Sequence, residues 1–357
     1  MSLPYLQPYF GLGNSLQTAQ ASGAGATVGG WVELARTTLG SASDTIDVSS
    51  LPDKRYYMIL RDLQNTGGTI DHYIRMGNST IDTGSNYAQR LSQNGGSEYT
   101  GTSNSDFIDF YTRGSFPIFS MGYLANLSGK EKLYQGHMVE QNTAGSANAP
   151  DRHELVGKWV NTSNPMDIHR AWNQSGSGSY NIGSEVVVLG WDESDTHTTN
   201  FWEEIGSADL SGGSADDLDI TTGLDKKYLW VQLYIEPSGT VDIDMTFNND
   251  TTSYARRQSF NGAGDSTNIN QSNVQLSNNV TVPQFMNMFI INNSSNEKLG
   301  IMHQIRQGTA GAGNAPDRYE MVFKYDETAS QISRIDINNT ESGSFGTNSI
   351  IKVFGSD

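Results

Sequence analysis

The chain has 357 residues, no cysteine and a net charge of −17, with 22 Lys and Arg against 39 Asp and Glu. The lack of cysteine excludes a disulfide framework, thiolate chemistry and a cysteine-based metal site. Because nucleic acids and anionic membranes are bound by clustered Lys and Arg, an acidic chain with few bases argues against either partner. The longest apolar runs, such as 56–60 and 186–189, are far shorter than the ~20 residues of a membrane helix, so we expect no membrane insertion.

Residues 1–30 contain no charged side chain, and their Gly-rich end, GAGATVGG at 23–30, predicts an extended N-terminal arm that needs a partner to become ordered. After the arm, β-branched and aromatic runs are separated by Gly, Asn, Ser or Pro, which is typical of strands and turns. No long run combines helical periodicity with caps, so the sequence predicts an all-β protein. The runs in the first half are Trp31–Arg36, Ile46–Val48, Tyr56–Leu60, Leu133–Glu140, Ile168–Asn173 and Glu185–Leu189.

The chain contains two copies of one unit. Residues 143–159 read TAGSANAPDRHELVGKW and residues 309–325 read TAGAGNAPDRYEMVFKY, with eleven of seventeen positions identical and no gap. Other matching segments follow in the same order along both halves. We therefore predict a first domain at 31–190, an acidic linker at 191–201 and a second domain at 202–357, related by internal duplication. Whether the domains pack together or hang on the linker is open at this point.

The best-defined strand follows the repeated Asn-Ala-Pro-Asp segment, and its residues alternate between a polar and an apolar face, as in a half-buried antiparallel strand. The outward-facing residues are identical in the two units, whereas the inward-facing residues change size. We interpret the preserved face as a candidate assembly surface that each unit presents to a similar neighbour. The alternative is a cross-strand charge ladder with no partner. The charged residues of the face are Arg152, Glu154, Lys158, Arg318, Glu320 and Lys324.

The pattern of short strands predicts two tandem jelly-roll β-sandwiches of about eight strands each, in preference to an immunoglobulin-like order. Both units open with Trp-x-Glu-Leu/Ile, at 31 and 202, and continue with Asp-Lys-Arg/Lys-Tyr, at 53 and 225. Both also contain Tyr-Ala before Asn-Gly, at 87 and 254. These segments resemble a jelly-roll repeat of virion structural proteins from marine phages. The resemblance covers residues 31–357; it implies a fold and a virion context, and it carries no catalytic residue.

The sequence offers little catalytic chemistry. The six histidines show no zinc-ligand spacing, and nucleophile-elbow, phosphate-loop and dinucleotide motifs are absent. His137 and His303 fall close together in the repeat alignment, and neither is assigned a role. Asp242 and Asp244 alternate on one predicted strand and Asp250 follows in a turn, so calcium is an alternative to a solvated acidic face. We expect no catalytic residue and no cofactor, with calcium as the minor alternative.

The leading hypothesis is a non-enzymatic virion structural protein, a capsid or capsid-decoration component. It would assemble with itself, as a trimer of six similar units, or with other virion proteins, and a neighbour would order the arm. The alternative is a carbohydrate- or receptor-binding module of a tail fibre or spike, in which Trp172, Trp191 and Trp230 stack on sugars. Aromatic residues exposed on one loop end would favour binding, and apolar patches along the sides would favour assembly. An enzyme, the third choice, needs a cleft with two close acids.

Overall fold

The computed structural model describes residues 30–357 except 175, 176 and 196, and for residues 102–104 and 111–113 it describes the backbone alone. The described residues form 27 strands and no helix, which confirms the all-β fold class. They accordingly include no helix that is long and apolar enough to cross a membrane. The predicted N-terminal arm lies outside the described residues, apart from Gly30.

The first unit has more strands than the eight expected, because polar strands such as Tyr99–Ser105 carry no apolar alternation that the sequence could reveal. Its strands are β1 Val32–Thr38, β2 Thr45–Val48, β3 Tyr56–Leu63, β4 Ile70–Asn78, β5 Thr80–Ile81, β6 Tyr87–Gln93, β7 Tyr99–Ser105, β8 Ile108–Gly114, β9 Ile118–Ala125, β10 Lys132–Glu140, β11 Asp151–Trp159, β12 Ile168–Trp172 and β13 Glu185–Trp191.

The second unit repeats this series, except that it has no counterpart of β5 and adds two short strands, Pro237–Ser238 and Ser344–Phe345. Its strands are β14 Glu203–Asp209, β15 Asp217–Ile220, β16 Tyr228–Ile235, β17 Pro237–Ser238, β18 Val241–Phe247, β19 Tyr254–Phe260, β20 Ser266–Gln271, β21 Val274–Val280, β22 Gln284–Ile291, β23 Lys298–Arg306, β24 Asp317–Tyr325, β25 Ile335–Asn338, β26 Ser344–Phe345 and β27 Ile350–Ser356.

Each unit is a jelly-roll sandwich of one large and one small sheet. In the first unit the large sheet has the order β1-β13-β3-β9-β10-β11-β6-β7, and the small sheet has the order β2-β12-β4-β5, with β8 also paired to β4. The second unit has the orders β14-β27-β16-β22-β23-β24-β19-β20 and β15-β25-β18-β21, with a separate pair β17-β26. The matching order of the large sheets confirms two tandem sandwiches related by duplication.

Each sandwich has its own core between its two sheets. On strand β3 the side chains of Tyr57 and Ile59 belong to the first core. On strand β16 those of Val231 and Leu233 belong to the second core. The buried members of the first core all fall within residues 46–188, and those of the second within 218–353. The predicted linker therefore separates two complete hydrophobic cores.

A third apolar cluster joins the two units, because their large sheets pack face to face. Met58 and Leu60 alternate with the core residues of β3 and point toward the second unit. There they meet a cluster that includes Trp230 and Phe289, whose rings stack with centroids 5.6 Å apart. The molecule therefore has four sheet layers, and the two units pack together rather than hanging on the linker.

Candidate functional site

The predicted assembly face lies at the contact between the two units. Arg152 on β11 is nearly fully buried, and its Nη2 donates to Asp265 of the second unit at 2.7 Å. Its Nη1 donates to Glu320 of the second unit at 3.2 Å and also pairs with Glu154. Burial raises the pKa of Glu154 to about 7, and the charge of Arg152 opposes that rise. Three of the six predicted residues thus form one charged network between the units.

Lys324, a fourth predicted residue, is fully buried in the same contact. Its Nζ donates to the carbonyl oxygen of Thr143 in the first unit at 2.7 Å. Glu297 lies 3.5 Å from this Nζ and accepts a hydrogen bond from the Gly145 N–H at 2.5 Å. Burial lowers the pKa of Lys324, and the Glu297 carboxylate opposes that change. A buried ammonium and a carboxylate of the second unit therefore hold a turn of the first.

The bound turn spans Thr143–Asn148, and we call its binding site, formed by Glu297, Lys324 and Asp326, the socket. The Ser146 N–H donates to Asp326 Oδ2 at 2.8 Å. The Ser146 carbonyl accepts the N–H of Asn270 at 2.8 Å. Because the partners on the turn are mainly backbone groups, the socket recognises the conformation of the turn as much as its side chains.

The remaining two predicted residues are exposed. Lys158 Nζ lies 2.8 Å from Glu131, and Arg318 Nε lies 3.3 Å from Glu320, in both cases within one unit. The structure thus brings four of the six residues together between the units of one chain and leaves two at the surface. A role of this face in assembly between chains stays a prediction.

Equivalent residues meet at the centre of the contact. His137 on β10 and His303 on β23 pack edge to face with ring centroids 4.3 Å apart. These residues match in the duplicated unit, and a two-fold relation about them would form every contact twice, once on each side of the pair. The structure instead forms the contacts on one side only, so the two units meet through different patches. On one side, the closed side, the turn meets the socket; on the other, the open side, the matching turn and Lys158 are exposed.

A groove of about 860 Å³ lies on the large sheet of the first unit, on the open side. Aromatic and aliphatic side chains dominate its surface, with a smaller number of polar groups. We call this surface the open half-face. Its apolar lining includes Trp31, Tyr56, Tyr123, Leu133, Val156 and Trp191, and its polar lining includes Gln89, Arg90, Gln135 and Lys158.

The open half-face corresponds to a surface that is covered in the second unit. Leu133 is 58% exposed, whereas its counterpart Leu299 is 3% exposed. Val156 is 51% exposed, whereas its counterpart Val322 is 1% exposed. The second unit therefore shows how the same surface is buried when another β-sandwich packs on it.

An aromatic pair gives the same comparison. Trp31 and Tyr123 lie in the groove with ring centroids 6.0 Å apart. Their counterparts Trp202 and Phe289 have the same separation of 6.0 Å and belong to the cluster between the units. Each unit thus forms this aromatic pair without help from the other unit. The two pairs differ only in whether another sandwich covers them.

The three tryptophans named for sugar stacking have different surroundings. Trp191 lines the groove and stacks on Tyr56 with centroids 5.6 Å apart. Trp172 lies on the small sheet, with the Arg75 guanidinium 3.6 Å from its ring centre. Trp230 is buried between the units. They do not form one cluster at a loop end.

The acidic residues considered for calcium make separate contacts. Asp242 accepts the N–H of Asn279 at 2.7 Å, and Asp250 accepts that of Thr252 at 2.8 Å. The pKa of Asp244 is raised to about 6, first by burial and then by the charge of Asp242. Among the residues that the structure describes, no three His, Asp or Glu side chains come together as a metal site.

Sequence reasoning missed the groove, although one signal was present. Tyr56–Leu60 and Val186–Leu189 are unbroken apolar runs, and a strand without polar alternation is buried on both faces. Such strands predict that another part of the protein, or a partner, packs on the outer face of the large sheet. The runs could not show that the second unit covers only part of this surface.

Comparisons with known proteins add little. No protein-family model matches the chain, and no curated protein matches it. The LG1–3 region of the laminin alpha2 chain aligns with 87% of this chain at 9% identity and a TM-score of 0.21, and the chain spans 64% of that region. Mouse laminin alpha1 domains LG4–5 align over 92% of each chain at 11% identity and a TM-score of 0.19. These scores are too low to support an argument about function.

Proposed function

We propose that this chain is a non-enzymatic structural protein of a virion, a capsid or capsid-decoration component that assembles through its jelly-roll faces and its N-terminal arm. The observation that carries the assembly role is the open half-face. An apolar surface of this size, matched by one already covered in the same molecule, is typical of a protein interface. The virion context rests on the resemblance of the repeated segments to virion jelly-roll repeats.

Light scattering tests this proposal on the purified full chain and on a version that lacks residues 1–30. We expect discrete oligomers or particles, visible by electron microscopy, that the shorter version forms poorly or not at all. The same measurement with a calcium chelator separates assembly from calcium binding. Monomers at every concentration, with no binding to a viral shell, would contradict the proposal.

The second candidate is a carbohydrate- or receptor-binding module of a tail fibre or spike. The specific observation in its favour is the stacked pair Tyr56 and Trp191 beside the polar side chains Gln135 and Lys158 in one groove. Aromatic faces with neighbouring hydrogen-bonding groups are suited to sugar rings. Binding on a glycan array that Trp191→Ala abolishes, while the chain stays monomeric, would favour this candidate.

A further inference from the structure

We propose that a second copy of this chain docks on the open half-face through its turn Thr309–Asn314 and the neighbouring Ile305. The inference deepens the proposed function and rests on its assembly role: it names the partner and the two surfaces that meet. The contact between the units of one chain serves as the template, because its turn and its central apolar residues have counterparts that are exposed.

The turn of the second unit has the shape of the turn that is already bound. Gly145 and Gly311 have positive φ values of 89° and 99°. Asn148 N–H donates to the Gly145 carbonyl at 3.3 Å, and Asn314 N–H donates to the Gly311 carbonyl at 3.2 Å. The segment Thr309–Asn314 is nevertheless exposed throughout. A preformed copy of the bound turn therefore has no partner among the described residues.

The socket is also repeated, on the first unit. Lys158 and Glu131 correspond to Lys324 and Glu297, and they form an exposed ion pair at 2.8 Å. This places an ammonium and a carboxylate where a docked turn would offer its carbonyl and N–H groups. Asp326 is replaced by Val160, so the third member of this socket is apolar.

Apolar side chains complete the match. On the closed side Val139 of the first unit is fully buried against the second unit. Its counterpart Ile305 is 56% exposed. Ile305 would meet the open half-face as Val139 meets the covered surface of the second unit. The exposed Leu133 and Val156 would then be buried, as Leu299 and Val322 are now.

The proposed contact joins two different patches, the turn with Ile305 on one copy and the open half-face on the next. Contacts of this kind close into a ring when the rotation allows it and otherwise extend into a chain. A ring of three copies would agree with the trimer expected from the sequence.

Two single substitutions separate the patches. Val156→Asp removes the apolar centre of the half-face, and Ile305→Asp removes that of the turn patch. Both side chains are more than half exposed, so we expect each variant to melt close to the unchanged chain. Light scattering should show oligomers for the unchanged chain and monomers for each variant. Ile182→Asp, at a residue 60% exposed outside both patches, is the matched control and should still assemble.

Mixing the two variants gives the most specific result. The Val156→Asp chain keeps its turn patch and the Ile305→Asp chain keeps its half-face, so together they can form one contact. We expect a 1:1 dimer in the mixture and monomers in each separate solution. Continued monomers in the mixture, or oligomers that either variant still forms alone, would overturn the docking surface.

A crosslink tests the same contact directly, because the chain has no native cysteine. Lys324 Nζ lies 2.7 Å from the Thr143 carbonyl, so the matching pair is Lys158→Cys with Thr309→Cys. Because a lysine side chain is longer than a direct disulfide can span, a short bis-maleimide reagent joins the two thiols. We expect a crosslink between chains. A crosslink within one chain would mean that the second unit closes on its own first unit, and would overturn the proposal. Particles that form despite Val156→Asp and Ile305→Asp would also reject this surface while leaving the structural function standing.

Discussion

The guanidinium of Arg61 lies inside the core of the first sandwich. Its Nε donates to Ser120 Oγ at 2.9 Å, and its Nη1 and Nη2 have no hydrogen-bond partner in the part of the chain that the structure describes. Burial lowers the pKa of Arg61, and burial together with the Arg61 charge lowers that of the neighbouring His169 to about 3. The matching positions of the second core hold Leu233 and Ile335. The first core therefore contains a polar cluster that the shared fold does not require.

We expect Arg61→Met to stabilise the protein. Desolvation of one buried charge costs several kcal/mol in a protein interior, and the single hydrogen bond to Ser120 offsets only part of that cost, so an apolar side chain of similar length should raise the free energy of unfolding. Urea unfolding followed by tryptophan fluorescence measures the change. The control is Arg55→Met at the surface, where the side chain is 43% exposed and its ion pair contributes little, so the midpoint should change little. A lower midpoint for Arg61→Met would show that the charge has a partner in solution.

Arg152 and Arg318 occupy the same repeat position in opposite surroundings. Arg152→Glu would place a fourth carboxylate among Asp265, Glu154 and Glu320, and the loss of a buried charge partner costs about 3–5 kcal/mol. Arg318 is 59% exposed, and exposed ion pairs contribute about 0–1 kcal/mol. Urea unfolding should therefore show a large loss for Arg152→Glu and a small one for Arg318→Glu. Equal losses would mean that the burial of Arg152 does not determine how much its ion pairs contribute to the free energy of unfolding.

At the scale of strands, much of the fold could be predicted and its packing could not. The duplication and the alternation along Asp151–Trp159 predict matching strands with one polar face. The alternation does not show what that face contacts. The sequence pattern around Arg152 and Lys324 is the same whether solvent or another sheet covers these residues. Burial of Lys324 depends on the turn Thr143–Asn148, which comes from the other unit. Local sequence patterns do not carry such contacts.

The packing of β10 on β23 should weaken in acid. The pKa of His137 is lowered to about 3, mainly by burial and in addition by the charges of His303 and Arg152. Unfolded His titrates near pH ~6.5, so between about pH 6.5 and 3 the unfolded state binds more protons and stability falls as pH falls. Glu154 acts in the opposite direction. Its pKa in the folded protein is raised to about 7, so as the pH falls the folded state binds this proton before the unfolded state does, and the folded state gains stability.

His137→Gln isolates the histidine contribution. Its stability should fall less between pH 7 and pH 4 than that of the unchanged chain, by at most about 1.4 kcal/mol per pH unit. Urea unfolding at a series of pH values measures the difference. His197→Gln, in the segment between the units, is the matched control for loss of a histidine outside the contact. Parallel profiles for His137→Gln and the unchanged chain would contradict the assignment.

At the scale of the whole molecule, the sequence predicts two domains and leaves their relation open. The contact combines a cluster of seventeen buried apolar residues with the socket and the Arg152 network. An interface so rich in aromatic and aliphatic side chains resembles a domain core divided in two, as in permanent complexes. The two sandwiches should therefore behave as one cooperative body.

Division of the chain within the linker tests this cooperativity. We expect residues 1–195 and 196–357, produced separately, to aggregate or self-associate, because each exposes its half of the apolar cluster, including Trp202 and Trp230 on the second half. Produced together, they should copurify as a 1:1 complex that unfolds in a single transition. Light scattering and calorimetry measure both outcomes. Two stable monomeric halves that do not bind each other would show that the linker, rather than the face-to-face sheets, holds the units together.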